Sequence, residues 1–98
     1  MNEYERLRHL AERHRQSYPK GTRLMLLSMD DPYSPVPPGT RGSVEFIDDM
    51  AQIFMHWDNG RTLPLNSDVD SFRKLTAEEL AEEQENGIDE DNGPVMGM

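Results

Sequence analysis

Gln52-Ile53-Phe54-Met55-His56-Trp57-Asp58-Asn59-Gly60 is the most informative run in the chain. Ile53, Met55 and Trp57 alternate with Gln52, Phe54 and His56, which is the period of a strand with one buried face. Asn59-Gly60 then marks a hairpin, because both residues tolerate positive φ in a tight turn. Arg61 to Leu65 returns as the next strand, ending at Pro64 or just beyond it. The Ile53/Met55/Trp57 set is the more apolar and is assigned to the core. Phe54 and His56 fall on the other face, where Phe54 is either exposed or covered by a helix.

The segments upstream carry compatible signals. Thr22 to Met29 contains the apolar run Leu24-Met25-Leu26-Leu27, short and flanked by glycine and proline, so it reads as a strand. Asp30 to Pro38 holds four prolines and Tyr33 and cannot enter a sheet interior, since proline has no N–H to donate. Gly39 to Gly42 is a turn, and Ser43 to Ile47 is a strand with Val44 and Phe46 on one face, broken by Asp48-Asp49. Downstream, Asn66 to Asp70 is a polar turn, and Val69 and Phe72 are expected to plug one end of the fold. Four to five short strands in so few residues are too few for a sandwich. The expectation is an α+β chain built on a small, closed, SH3-like antiparallel β-barrel over residues 21–75. Trp57, Phe46, Val44, Ile53 and Leu26 are its expected core.

A helix is expected on each side. Tyr4, Leu7, Ala11, His14 and Tyr18, with Leu10, recur at spacings of three and four, so residues 1–20 read as an amphipathic N-terminal helix over Glu3 to Ser17. Asn2 caps its start, and Pro19 and Gly21 stop it. Thr76-Ala77-Glu78-Glu79 matches a capping box, predicting a short helix from Ala77 to Glu85 within an acidic tail over residues 76–98. Asn86-Gly87 is expected to end that helix, with residues 88–98 disordered.

Composition sets limits. Ninety-eight residues make one domain, with a stability on the order of 5 kcal/mol. No cysteine is present, which removes disulfides, thiolate metal sites and a cysteine nucleophile. No apolar run reaches the roughly 20 residues of a membrane span, and the charged N-terminal segment is unlike a signal peptide. The net charge of −9 is uneven: residues 1–20 carry +2, residues 21–75 carry −3 and residues 76–98 carry −8. Such acidity disfavours duplex DNA. The tail reads either as a solvated appendage or as a charge that seeks a basic partner.

No residue pattern suggests catalysis. Glu5 and His9 share a helix face but make only two ligands, and no serine sits in a nucleophile elbow. Neither Asp30-Asp31 nor Asp48-Asp49 belongs to the ligand series of a calcium loop. No cofactor or metal is expected. Candidate binding residues are Tyr33 in the proline-rich loop, Asp30, Asp31, Asp48 and Asp49 at strand ends, and Phe54 on the outward strand face. Arg6 and Arg13 belong to a helical arginine patch with Arg8 and Arg15, and Glu78 and Glu79 lie on the acidic segment. The arginines read either as a phosphate-facing patch or as solvated charges balanced by Glu3, Glu5 and Glu12.

Tyr18-Pro-Lys-Gly-Thr-Arg23, Asp31-Pro-Tyr-Ser-Pro-Val-Pro-Pro-Gly-Thr-Arg-Gly42, His56-Trp-Asp-Asn-Gly60 and Val69-Asp-Ser-Phe72 together resemble a family of small proteins of unassigned function. That family is carried on plasmids, phages and other mobile elements of Gram-positive bacteria. Gly39-Thr-Arg-Gly42 followed by Val44 also resembles the turn of RNA-associated SH3-like barrels. The resemblance implies a β-rich module in the cytoplasm of a bacterial host and brings no catalytic residues. It further implies a non-enzymatic inhibitor, most concretely an anti-CRISPR protein that obstructs the type II effector nuclease or its guide-RNA loading. The partner would then be that nuclease or its guide-RNA complex. A small RNA-binding module, using the helical arginines with Tyr33 and Phe54, is the alternative, and an adaptor in conjugation or replication is a third.

Overall fold

The computed structural model describes residues 2–33 and 35–92. Helix α1 (Glu3–Ser17) opens with a reciprocal cap: Glu5 N–H donates to the Asn2 side chain at 2.8 Å, and the Asn2 N–H donates back to the Glu5 carboxylate. Each bond satisfies an N–H that the first helical turn leaves orphaned. The helix turns Ala11 and His14 into the protein, with Leu7, Leu10 and Tyr18 packed beside them. Tyr4, expected on this stripe, is exposed instead, with the Arg8 guanidinium 5.6 Å from its ring centre.

Five strands follow: β1 (Arg23–Ser28), β2 (Arg41–Ile47), β3 (Gln52–Trp57), β4 (Leu65–Asn66) and β5 (Ser71–Lys74). They form one antiparallel sheet in the order β4-β3-β2-β1-β5. The expected closed barrel is not present, because the sheet is open, with β4 and β5 as its two edges. Residues Arg61 to Pro64 stay outside the sheet, which leaves β4 two residues long. Pro64 offers no ladder donor there, so the fourth strand is too short to reach round to the fifth.

α1 covers the inner face of this open sheet. Leu24 and Leu26 from β1, Val44 and Ile47 from β2, Ile53, Met55 and Trp57 from β3, and Leu65 from β4 are all buried with Ala11. Each such apolar side chain contributes roughly 1.5–3 kcal/mol through removal from water. Trp57 also donates its indole N–H to the Leu63 carbonyl at 2.8 Å, which ties the non-strand segment to the core. Gly42 lies against the Trp57 ring, so close that a Cβ there would fall 2.8 Å from a ring carbon. The proline-rich loop does not simply project. Val36 is fully buried and plugs the core from the loop, leaving Tyr33 at 93 % exposure. Val69, expected to plug an end, is exposed, because the Asn66 to Asp70 turn carries it outward.

Phe46 is the main correction to the expected core. Val44 pairs with Met55, but Phe46 pairs with Phe54 and Ile47 with Ile53, so β2 has one residue more than β3 across this interval. A bulge of this kind breaks the period of two. Ile47 takes the inward place, and Phe46 turns to the outer face with 56 % exposure.

Helix α2 (Ala77–Asn92) starts at the expected capping box, with Glu79 N–H donating to Thr76 Oγ1 at 3.0 Å and Thr76 N–H to the Glu79 carboxylate at 2.9 Å. It runs on through Asn86-Gly87, where a stop was expected. One interior glycine costs a helix only about 1 kcal/mol relative to alanine and does not by itself end it. Residues 88–92 of the expected disordered segment are therefore helical, and residues 93–98 lie outside the described residues. Among the described residues no helix is long and apolar enough to cross a membrane.

Candidate functional site

The outer face of the sheet carries the side chains that the core does not use. On β2 and β3 these include Phe46 and Phe54, whose rings stack with centroids 4.6 Å apart and planes 5° from parallel. Beside them His56 Nδ1 meets the Glu45 carboxylate at 3.1 Å, both side chains well exposed.

Further along the same face lies a group of arginines. Met25 on β1 faces Arg41 of β2 on one side and Arg73 of β5 on the other, so the two arginines flank it in one row. Arg23 sits two residues before Met25, on the same side of β1. Two carboxylates of α2, one helical turn apart, reach these arginines. Glu83 accepts from Arg23 at 2.7 and 3.0 Å and from Arg41 at 3.2 Å. Glu79 accepts from Arg73 at 2.8 and 2.9 Å and lies 4.0 Å from Arg41. Arg23 also donates to Asp58, at the turn after β3, and to Ser43 Oγ at 3.1 Å. The network thus holds three arginines and three carboxylates.

Its charges set the titration of its members. The Arg73 guanidinium, helped by the Thr76 N–H, holds the Glu79 carboxyl down to about 2. Arg23 lowers both Asp58 and Glu83, against a smaller opposing effect of burial, and is itself raised by them. None of residues 77–85 is buried, and Leu80 is 40 % exposed. Residues 77–85 of α2 are therefore held to the sheet mainly by these ion pairs.

The expected binding residues scatter. Arg6 is held by Glu3 at 2.7 Å and by Asp68 at 2.8 Å, and Arg15 by Asp49 at 2.9 Å and the Ile47 carbonyl. The helical arginine patch is thereby divided, with Arg13 exposed apart from these pairs. Asp48 caps its own turn, taking the Met50 and Gln52 N–H groups at 3.0 and 2.9 Å. Asp30 and Asp31 border a shallow hollow with Val69 and Asp70, and the Tyr33 N–H donates to Asp31 at 2.9 Å. Glu78 is exposed, while Glu79 belongs to the network above. Of the expected residues, only Phe54 and Glu79 lie on the outer face described here.

The reading of the sequence placed Phe46 in the core, took Glu83 only as one of the acidic residues of the tail, and missed Arg23, Arg41 and Arg73. For the arginines the signal was present: Arg23 is one residue from buried Leu24 and three from Leu26, Arg41 is three from buried Val44, and Arg73 adjoins the partly buried Phe72, and odd offsets put a side chain on the opposite face of a strand. Glu79 and Glu83 also share a helix face by their i,i+4 spacing.

His14 Nε2 and Ser67 Oγ are hydrogen-bonded at 2.9 Å, the contact of a base with a hydroxyl. Among the described residues no carboxylate bonds the other ring nitrogen of His14, and the pair instead ties α1 to the turn before β5. Glu5 closes the helix cap and is not paired with His9. Among the described residues no three His, Asp or Glu side chains converge as metal ligands.

A family model described as a domain of unknown function, DUF4314, matches residues 5–75. No curated protein and no solved structure matches the chain.

Proposed function

This chain belongs to the DUF4314 family, and we propose that it is a non-enzymatic binding module whose outer sheet face takes single-stranded RNA. The observation that carries the reading is the pairing on one face of a stacked, solvent-facing Phe46/Phe54 with a row of arginines. Single strands are held by aromatic rings that stack with bases and by cationic side chains along the backbone, with little need for a deep pocket. The acidity of the chain is concentrated in residues 76–98, away from the aromatic pair in sequence. The strand order supports an SH3-like arrangement left open between β4 and β5.

The resemblance to proteins of mobile elements supports a finer reading, an anti-CRISPR protein that obstructs guide-RNA loading of the type II effector nuclease. Occupying the guide RNA is the version that suits an aromatic face beside a row of arginines. Mimicry of nucleic acid by acidic side chains is less well supported, because Asp48, Asp49 and Glu79 are engaged within the protein.

Purification of the tagged protein from a bacterial lysate, with and without nuclease, tests the reading. RNA is expected to copurify with the wild type and to be lost from Phe46→Ser/Phe54→Ser. A protein partner that resists nuclease, with no RNA retained, would replace this reading with protein docking on the same face. Addition of the purified protein to a type II effector before or after its guide RNA tests the finer reading: inhibition only when it is added first is the expected result.

A further inference from the structure

The ion-pair network raises a question of its own. Three arginines from three adjacent strands converge on one face, and two glutamates of a single helix cover them. Helices normally dock by burying an apolar stripe. Residues 77–85 of α2 bury none, so the hold of this segment on the sheet rests on contacts that any other anion can replace. Guanidinium groups bind carboxylate and phosphate oxygens with the same two-pronged geometry. Arg23 and Arg73 each already meet a carboxylate of α2 through two nitrogens.

The spacing suits a backbone rather than a single ion. With strands about 4.8 Å apart, Arg41 and Arg73 stand roughly 10 Å from one another across Met25, and Arg23 lies about 7 Å along β1. Phe46 is about 10 Å along β2 from Ser43, the register partner of Arg23. Stacking rings and guanidinium groups are thus within a few nucleotides of one another on a continuous face. Asp58 stays beside Arg23 when α2 leaves, so the uncovered group of four side chains carries a net positive charge.

We propose that α2 is a displaceable acidic cover over a phosphate-binding face, and that single-stranded RNA, bonding Arg23, Arg41 and Arg73 through its phosphates, is the ligand that displaces it. This rests on the reading of the outer face as an RNA site and adds its regulation. The covered protein binds weakly, and any change that weakens the hold of Glu79 and Glu83 strengthens binding.

The test uses the full chain and a fluorescent 12-nucleotide oligouridylate at 0.1 M salt. Glu79→Gln/Glu83→Gln is expected to bind at least tenfold more tightly than the wild type. Adding Arg41→Ala/Arg73→Ala to that variant should abolish the gain. Amide hydrogen exchange should rise over Leu80 to Glu85 of the wild type when RNA is added, while the β3 amides stay protected. Circular dichroism checks that each variant keeps its fold, and Glu78→Gln/Glu82→Gln, which changes the same charge on the same helix outside the network, should leave affinity within about twofold of wild type. Equal affinity of the wild type and Glu79→Gln/Glu83→Gln would overturn the cover and leave the RNA reading standing. Binding by neither would overturn both, and an equal gain from Glu78→Gln/Glu82→Gln would reduce the effect to overall charge.

Discussion

Phe46 and Trp57 are both large aromatic residues on adjacent strands, yet their structural roles are opposite. Trp57 is buried and hydrogen-bonded, so Trp57→Ala should cost about 3–5 kcal/mol in chemical denaturation, enough to unfold most of a domain this size. Phe46 gives up only a stacked neighbour on an exposed face, and Phe46→Ala should cost about 1 kcal/mol. A larger loss would mean that the bulge is not where β2 turns its face. Gly42 is the companion case: an added Cβ meets both the Trp57 ring and strand backbone, which cannot yield as a flexible side chain would. Gly42→Ala should cost about 1–3 kcal/mol, measured the same way. His14 contributes a pH dependence of its own. Burial, and then nearby Arg13, push its pKa below the ordinary 6.5. The unfolded chain therefore takes up the proton first, so stability is full above about 6.5 and falls as pH drops below it. Thermal melts between pH 7.5 and 5.5 should show this slope, and His14→Gln should flatten it.

At the scale of the element, α1 and α2 are attached to the same sheet by different physics. α1 places Ala11, Leu7 and Leu10 against the core, and hydrophobic contact of this kind is insensitive to moderate salt. α2 is attached through partly exposed ion pairs, each of which contributes little by itself and is screened by salt. The screening length falls from about 10 Å at 0.1 M to about 3 Å at 1 M. Hydrogen exchange over Leu80 to Glu85 should accordingly accelerate across that range of sodium chloride while the amides of Ala11 and His14 remain protected. Exchange in α2 as insensitive to salt as that in α1 would show that α2 has apolar anchorage after all.

For the whole molecule, several carboxylates are held by the protein's own arginines. Asp58 and Glu83 are lowered by Arg23, Asp68 and Glu3 by Arg6, and Glu79 to about 2 by Arg73. Depressed carboxyl groups favour the folded state above their ordinary pKa values of 3.8 to 4.5, and that contribution is lost as pH falls through the folded values. Stability should thus decline in two separate windows, one below about 6.5 from His14 and one below about 4.5 from these carboxylates. In Glu79→Gln/Glu83→Gln the lower window should shrink and the upper one persist, as read from urea titrations at a series of pH values.

Much of the local structure was legible in the sequence because it depends on neighbours a few residues away. The alternation of Gln52 to Trp57, the caps at Asn2 and Thr76, and the stop at Pro19 are short-range patterns with short-range causes. The turn at Asn59-Gly60 was legible as a turn, though only Gly60 takes positive φ there. Tertiary structure decided the rest. Whether Phe46 faces in or out depends on one extra residue opposite β3, a property of pairing that no single strand carries. Val36 is core because the loop folds back to bond Leu26, with Gly39 N–H donating to its carbonyl. Arg23, Arg41 and Arg73 come from three separate stretches, and their meeting with Glu79 and Glu83 exists only once five strands are laid side by side. Net charge is a sum over the sequence, but where that charge is neutralised is set by contacts between residues far apart along it.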